Sequence, residues 1–275
     1  MKTLIIPTDF SPVSLGAVNY GADLAIAIDA EILLVNIVPI PISTFEVPIS
    51  QSTFTEMEDD VDQQLAKLKE HLLLRTENKI TINTYSTIGT VEYDLEEISG
   101  KKNPFAVIMS PKSSGAFERF FMGSNTLSAV HNIHYPVLII PENGVYKKIE
   151  RIALAADLKA KISNNTIKII KNWVNLLDVP LDIINVTAAN EIGTNVMSES
   201  VTIENYFAEL HPKFHFIKQE KTEDGINQFI KTNHPDLLIV IPKNRNLIET
   251  ILHKSSSKKF ILHPNIPVLA IAEND

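Results

Sequence analysis

The chain says the same thing twice, and that constrains its fold more than any other feature. Leu4-Ile5-Ile6-Pro7-Thr8-Asp9 returns about 148 residues later as Ile152-Ala153-Leu154-Ala155-Ala156-Asp157. Ile32-Leu33-Leu34-Val35-Asn36-Ile37 returns as Leu181-Asp182-Ile183-Ile184-Asn185-Val186. Asn103-Pro104-Phe105-Ala106-Val107-Ile108-Met109 is echoed by Asn233-His234-Pro235-Asp236-Leu237-Leu238-Ile239-Val240, and Pro136-Val137-Leu138-Ile139-Ile140 by Pro267-Val268-Leu269-Ala270-Ile271. The blocks keep their order while the offset shrinks from about 148 to 131, so the second copy is roughly 17 residues shorter inside. Such self-similarity marks a duplicated domain. We expect one domain over 1–142 and a second over 149–275, joined by the short linker 142–149.

Within each copy, short apolar runs alternate with longer helical patterns, as in a parallel sheet built from βαβ units. The first half predicts strands near 2–7, 31–38, 80–86, 105–110 and 136–141. Isoleucine, leucine and valine fill them, as suits strands buried on both faces. Ser11 reads as an N-cap with Pro12 at the first helical position. Helices are expected from there and over 55–76, 91–101 and 124–133. The second half predicts strands near 151–156, 181–187, 213–218, 236–241 and 267–272, with helices near 160–177, 198–210, 222–233 and 247–262. Three prolines between Pro39 and Pro48 make that stretch an irregular loop, read as a surface excursion or as a lid carrying Phe45 and Val47.

Composition excludes several functions. A formal charge of -8 argues against a sequence-independent nucleic-acid binder. With no cysteine there is no disulfide, thiolate metal site or cysteine nucleophile. No apolar stretch reaches membrane-spanning length, so a cytoplasmic protein is expected. Among the 8 histidines, His131 and His134 stand at i, i+3, while His211 and His215 flank a proline and a predicted strand. No carboxylate partner stands near His131 and His134 in sequence, and no metal site is expected. No Walker A loop, strand–GxGxxG–helix unit or G-x-S-x-G elbow occurs. Trp173 reads as core packing.

Two places could carry chemistry. Asp9 directly follows the first strand, where open α/β sheets hold ligands beyond the carboxyl ends of their strands, and Asp157 repeats it. The loop from Met109 to Thr126 ends in Gly123-Ser124 at a predicted helix start, a natural phosphate seat with Lys112 and Arg119 nearby. In the second half, His253-Lys254-Ser255-Ser256-Ser257-Lys258-Lys259 offers charge and hydroxyls instead, read either as a solvated helix end or as a side-chain anion site.

The opening strand with Asp9-Phe10-Ser11, Gly89 after the third strand, and Gly123-Ser124 followed by Pro136-Val137-Leu138-Ile139-Ile140 together resemble the universal stress protein family, in a tandem form covering the whole chain. That resemblance implies two flavodoxin-like or Rossmann-like domains of the adenine nucleotide alpha hydrolase type, each a five-stranded parallel sheet of order 3-2-1-4-5. It implies an internal pseudo-dimer through the fifth strands, with homodimerisation open, and a non-catalytic cytoplasmic stress-response role. ATP-binding members carry G-x2-G-x9-G-(S/T) after the fourth strand. Here the third glycine and its hydroxyl partner are Gly123 and Ser124, whereas Ser110 and Ser113 replace the first two. Were ATP with Mg²⁺ to bind, Asp9 and Val38 would lie near adenine and ribose, and Ser110, Ser113, Gly123, Ser124 and Asn125 around the phosphates. The alternative is a protein–protein scaffold that has lost the nucleotide. An ATP pyrophosphatase would need S-G-G-x-D-S after the first strand, and Pro7-Thr8-Asp9-Phe10-Ser11-Pro12 is not that.

Overall fold

A computed structural model describes residues 1–39, 51–110, 129, 133–158, 161–187, 202–242 and 266–273. The chain forms two compact units, Met1–Tyr146 and Lys147–Asp275.

The first unit runs β1 (Lys2–Pro7), α1 (Pro12–Ile28), β2 (Ala30–Pro39), α2 (Gln51–Arg75), β3 (Ile82–Gly89), α3 (Val91–Lys102), β4 (Ala106–Met109) and β5 (Val137–Ile139). Its sheet order is β3-β2-β1-β4-β5, with every neighbouring pair parallel. Leu4, Ile5, Ile6, Ile32, Leu34, Val107, Ile108 and Leu138 are wholly buried. Their apolar runs lack the alternation of a half-solvated strand because helices cover both faces.

The second unit runs β6 (Ile152–Ala155), α4 (Asn164–Leu177), β7 (Leu181–Thr187), β8 (Lys213–Lys218), α5 (Thr222–Asn233), β9 (Leu237–Val240) and β10 (Val268–Ala270). Residues 202–207 are helical and lead into a 3₁₀ turn, Ala208–Leu210, before β8. Its order, β8-β7-β6-β9-β10, is again 3-2-1-4-5 and parallel. The expected sheet order therefore holds in both units. The helices expected at 124–133 (Ala129 and Ile133 apart) and 247–262, and most of the 39–49 loop, lie outside the described residues.

The duplication reaches individual hydrogen bonds. Thr8 N–H donates to Val35 O at 2.8 Å, and Ala156 N–H to Ile184 O at 2.9 Å. The Asn36 amide donates to Thr8 O at 2.7 Å, and the Asn185 amide to Ala156 O at 3.1 Å. Four helices end on a left-handed residue that is not glycine: Asp29 (φ 52°), Asn103 (47°), Asp178 (52°) and His234 (48°). In each the N–H closes back on a carbonyl four residues earlier, from Ala25, Ser99, Val174 and Ile230. A bond of this kind satisfies one of the open carbonyls at a helix end.

Counted back from Asp29 and Asp178, the buried faces of α1 and α4 superimpose. Ala17, Val18, Gly21, Leu24 and Ala25 correspond to Thr166, Ile167, Ile170, Trp173 and Val174, all buried. Trp173 is fully enclosed, as a core residue should be. In the first unit Gly21 lets the helix press on the sheet, since a Cβ there would lie 2.3 Å from Ile6 Cδ1.

The two helices start differently. α1 begins after Ser11, whereas α4 begins only after Ser163, although a start near 160 was expected. The distance from strand end to helix cap is almost unchanged, 21 residues from Thr8 to Asp29 and 22 from Ala156 to Asp178. About one turn of helix has been converted into loop. Leu158 and Ile162 are buried within that longer loop and hold it against the unit.

Candidate functional site at the carboxyl edge of the first sheet

β1 delivers Thr8 and Asp9 to the carboxyl edge, and α1 leaves at once. The sharp reversal places Phe10 in the left-handed region, φ 61°. A bulky residue there is strained and persists only where its surroundings hold it. What holds it is a knot of short polar side chains. Phe10 N–H donates to Thr8 Oγ1 at 3.1 Å, and the Thr8 and Ser14 hydroxyls are 3.1 Å apart. Ser14 N–H donates to Ser11 Oγ at 3.2 Å, the expected N-cap, and the Ser14 hydroxyl donates to Ser11 O at 3.0 Å. Asn36 anchors the knot to β2 through Thr8 O.

Asp9 stands exposed at the outer edge of this knot, with Oδ1 accepting the Ser11 N–H at 3.1 Å. Partial burial pushes its carboxyl up, but hydrogen bonds from the Ser11 and Ser14 side chains and the Ser11 backbone outweigh it. The net effect holds the carboxyl below its ordinary value, so Asp9 is a fixed anionic acceptor at neutral pH.

Val38 and Ser110 share this edge. Val38 is buried in β2, three residues past Val35, the register partner of Pro7. Ser110 lies three residues past Val107, whose register partner on β1 is Ile5, so it stands level with Thr8 on the neighbouring strand. Ser113, Gly123, Ser124 and Asn125 lie outside the described residues. Gly89, at the end of β3, packs closely on Asp94: a Cβ would fall 2.1 Å from Oδ2, so the carboxylate would have to move aside. That carboxylate takes the Thr90 N–H at 2.6 Å. Asp9 therefore offers an acceptor for hydroxyl or amino donors, on an edge walled by Val38 and bounded by Ser110.

Some of these residues are hard to read from sequence. Thr8, Ser14 and Asn36 support Asp9 without any motif naming them, although Asn36 is the lone polar side chain in the apolar run Ile32–Val38. His134 has a partner contributed by a distant helix, with Nδ1 2.6 Å from Glu96 Oε1. In the second unit, Asp182 is almost fully buried where the first unit has Leu33. His215 Nε2 donates to its Oδ1 at 2.7 Å, Arg151 Nε lies 3.6 Å from Oδ2, and Phe229 meets the imidazole edge-on at 4.7 Å. Asp182 is the second residue of β7, so this cluster sits at the amino-terminal end of the second unit's own strands. Among the described residues no group of three or more His, Cys, Asp or Glu could hold a metal ion. No described helix is long and apolar enough to cross a membrane.

The parallel order 3-2-1-4-5 defines an open α/β protein, a class that holds ligands beyond the carboxyl ends of its strands, where Asp9 offers a fixed acceptor. The universal stress protein family model matches residues 1–141, and the chain belongs to that family. A universal stress protein of Methanocaldococcus jannaschii is 27% identical over 141 residues, 50% of this chain and 81% of that one. A solved universal stress protein from Archaeoglobus fulgidus matches 99% of this chain and 98% of its own, with TM-score 0.77 and 18% identity. A functionally unknown protein from Pseudomonas aeruginosa matches 99% of this chain and 93% of its own, with TM-score 0.60 and 10% identity. At those identities the structural matches establish the shared fold across both units.

Proposed function

We propose that the chain is a non-catalytic, cytoplasmic stress-response protein whose first unit binds a small ligand of the adenine nucleotide class. The observation that carries this reading is Asp9, held ionised at the carboxyl edge by the Thr8–Ser11–Ser14 knot. In this reading Asp9 accepts hydrogen bonds from the nucleoside and Val38 lines the base. Ser110, Ser113, Gly123, Ser124 and Asn125 surround the phosphates, and Mg²⁺ accompanies them. In this reading turnover is slow or absent. The second unit is a degenerate copy, spanning 149–275 against 1–142 for the first, and the two pair as an internal pseudo-dimer.

The test is a thermal-shift titration with Mg-ATP on the wild type and on Gly123→Asp. At about 100 times its dissociation constant, a ligand stabilises the native state by roughly 2.7 kcal/mol. A rise in melting temperature that the substitution abolishes supports the reading, and no rise at millimolar ATP sinks it. In that case the scaffold reading takes over, which the serines at positions 110 and 113 favour. Serine carries a Cβ where ATP-binding members of the family have glycine.

A further inference from the structure

Among the described residues β8 is the outermost strand of the second unit's sheet, paired with β7 on one side alone. Gln219 N–H donates to Thr187 O at 3.1 Å, so the alternation of the ladder turns the backbone of Lys213, His215 and Ile217 toward β7. The N–H and C=O groups of Phe214, Phe216 and Lys218 therefore face outward, an open edge on which another strand can pair. The two faces of β8 also differ. His215 meets Phe229 of α5, and Ile217 Cγ2 is 3.3 Å from where a Cβ on Gly225 of that helix would stand. Phe214 and Phe216 lie on the opposite face, stacked with ring centroids 6.3 Å apart, and Phe216 is 52% exposed.

The first unit treats this position differently. Phe216 is the register partner of Asn185, as Ser86 is of Asn36. The Ser86 hydroxyl donates to Asp62 of α2 at 2.6 Å, so there the site is polar and tied to a helix. The connection that supplies α2, residues 40–81, is 17 residues longer than its counterpart, residues 188–212. An exposed aromatic on an open edge thus replaces a hydroxyl bonded to a helix.

The charges decide which strand can pair there. Lys213 and Lys218, both exposed, bracket the aromatic pair. Two copies of β8 paired antiparallel about their centres would set Lys213 of each against Lys218 of the other, with like charges directly opposite. Edge lysines discourage such self-pairing. A strand with a carboxylate at each end instead meets both lysines, and apolar side chains between them meet Phe216 and Phe214.

We propose that the open edge of β8 is a docking site for an extended acidic segment of a partner protein, added antiparallel as a further strand. Main-chain bonds to Phe214, Phe216 and Lys218 supply affinity, and Lys213 with Lys218 sets the choice of partner. The site belongs to the second unit and does not depend on nucleotide binding in the first.

The test uses the full chain, without nucleotide, and a labelled, end-blocked peptide, Glu-Thr-Val-Thr-Val-Glu. Its glutamates fall opposite Lys218 and Lys213, and its valines opposite Phe216 and Phe214. Fluorescence anisotropy should show saturable binding, and amide hydrogen exchange should slow at Phe214, Phe216 and Lys218. Lys213→Glu combined with Lys218→Glu should weaken binding about tenfold, because two attractive cross-strand pairs become repulsive. Phe216→Ser, which imports the first unit's residue, should weaken it by a smaller factor. Two control peptides leave the protein untouched: one with lysine for each glutamate, and one N-methylated at both valines to block the ladder bonds. Neither should bind. No binding at millimolar peptide would overturn the proposal, as would equal binding of either control or indifference to the lysine substitutions. A concentration-dependent dimer abolished by Phe216→Ser would overturn it in favour of a second copy.

Discussion

The turn from β1 into α1 and the turn from β6 into α4 join matching strands to matching helices, and they solve the junction in opposite ways. The first is short and strained: four residues from Thr8 to Ser11, Phe10 forced left-handed, and every nearby hydroxyl used to hold it. The second has eight residues from Ala156 to Ser163, and Leu158 and Ile162, among those described, are buried. Strain at a strand-to-helix turn is tolerated where a side chain must be aimed, and in the first unit that side chain is Asp9. The second unit keeps Asp157 in sequence, but its helix begins only after Ser163, whose N–H is taken by Glu273. The same aspartate thus stands ahead of two helices that begin at different distances from it.

The largest expected effect tests whether the helices match by their caps. If Trp173 stands where Leu24 does, Trp173→Ala should cost about 3–5 kcal/mol, the range for an enclosed aromatic, and Leu24→Ala about 2–5 kcal/mol. Urea unfolding followed by far-UV circular dichroism, which does not rely on the lost indole, measures both. A negligible loss for Trp173→Ala would break the correspondence.

Next comes the close contact that only the first unit has. Gly21→Ile imports the second unit's Ile170 into a position where even a Cβ meets Ile6 and Ile108. Overpacking should cost about 1–3 kcal/mol by the same measurement. No loss would mean that α1 can shift from the sheet to make room for the larger side chain.

Smaller again is the difference between the two anchoring asparagines. Asn36→Ala and Asn185→Ala each strand a buried carbonyl, at a cost of about 1–3 kcal/mol. The Asn36 bond is the shorter, 2.7 against 3.1 Å, and Asn185 also sheds an unpartnered oxygen, so Asn36→Ala should be the more damaging. The reverse order in chemical denaturation would contradict the tighter first turn.

The smallest effect concerns pH. The Asp9 carboxyl is held below its ordinary value, so its contribution to stability is fully present above the unfolded value of about 3.9 and is lost as pH falls through its own lower value. Asp9 is exposed, so Asp9→Asn should cost under about 1 kcal/mol near neutrality. Melting temperatures of the two proteins should converge in strong acid. A gap that persists there would place the effect of the substitution outside the carboxylate.

Much of this fold is legible along the chain because it is local or periodic. The apolar runs predict the strands, and Ser11 with Pro12 marks the start of α1. The pattern over 222–233 coincides with α5. The start of α4 is less legible: Lys159-Ala160-Lys161-Ile162 contains no glycine or proline to stop a helix, and Ser163 ahead of Thr166 is the one signal for a later beginning. Contacts between distant segments are not legible at all. Nothing beside Asp182 announces His215, 33 residues on, and nothing beside Ser163 announces Glu273. As for the candidate site, Asp9 stands out by position, while Thr8, Ser14 and Asn36 gain significance only when the turn brings them together.

The four left-handed helix ends have a consequence of their own. Asp29, Asn103, Asp178 and His234 sit in a conformation that glycine adopts freely, and among the described residues no glycine has positive φ. The four positions are spread over both units at separate helix–strand junctions, where independent changes tend to add. Selection has not driven these junctions to their thermodynamic optimum, which is the ordinary condition of natural proteins. An engineer seeking a heat-tolerant form of the chain could begin there, at helix ends that lead into strands, and leave the turn that carries Asp9 alone.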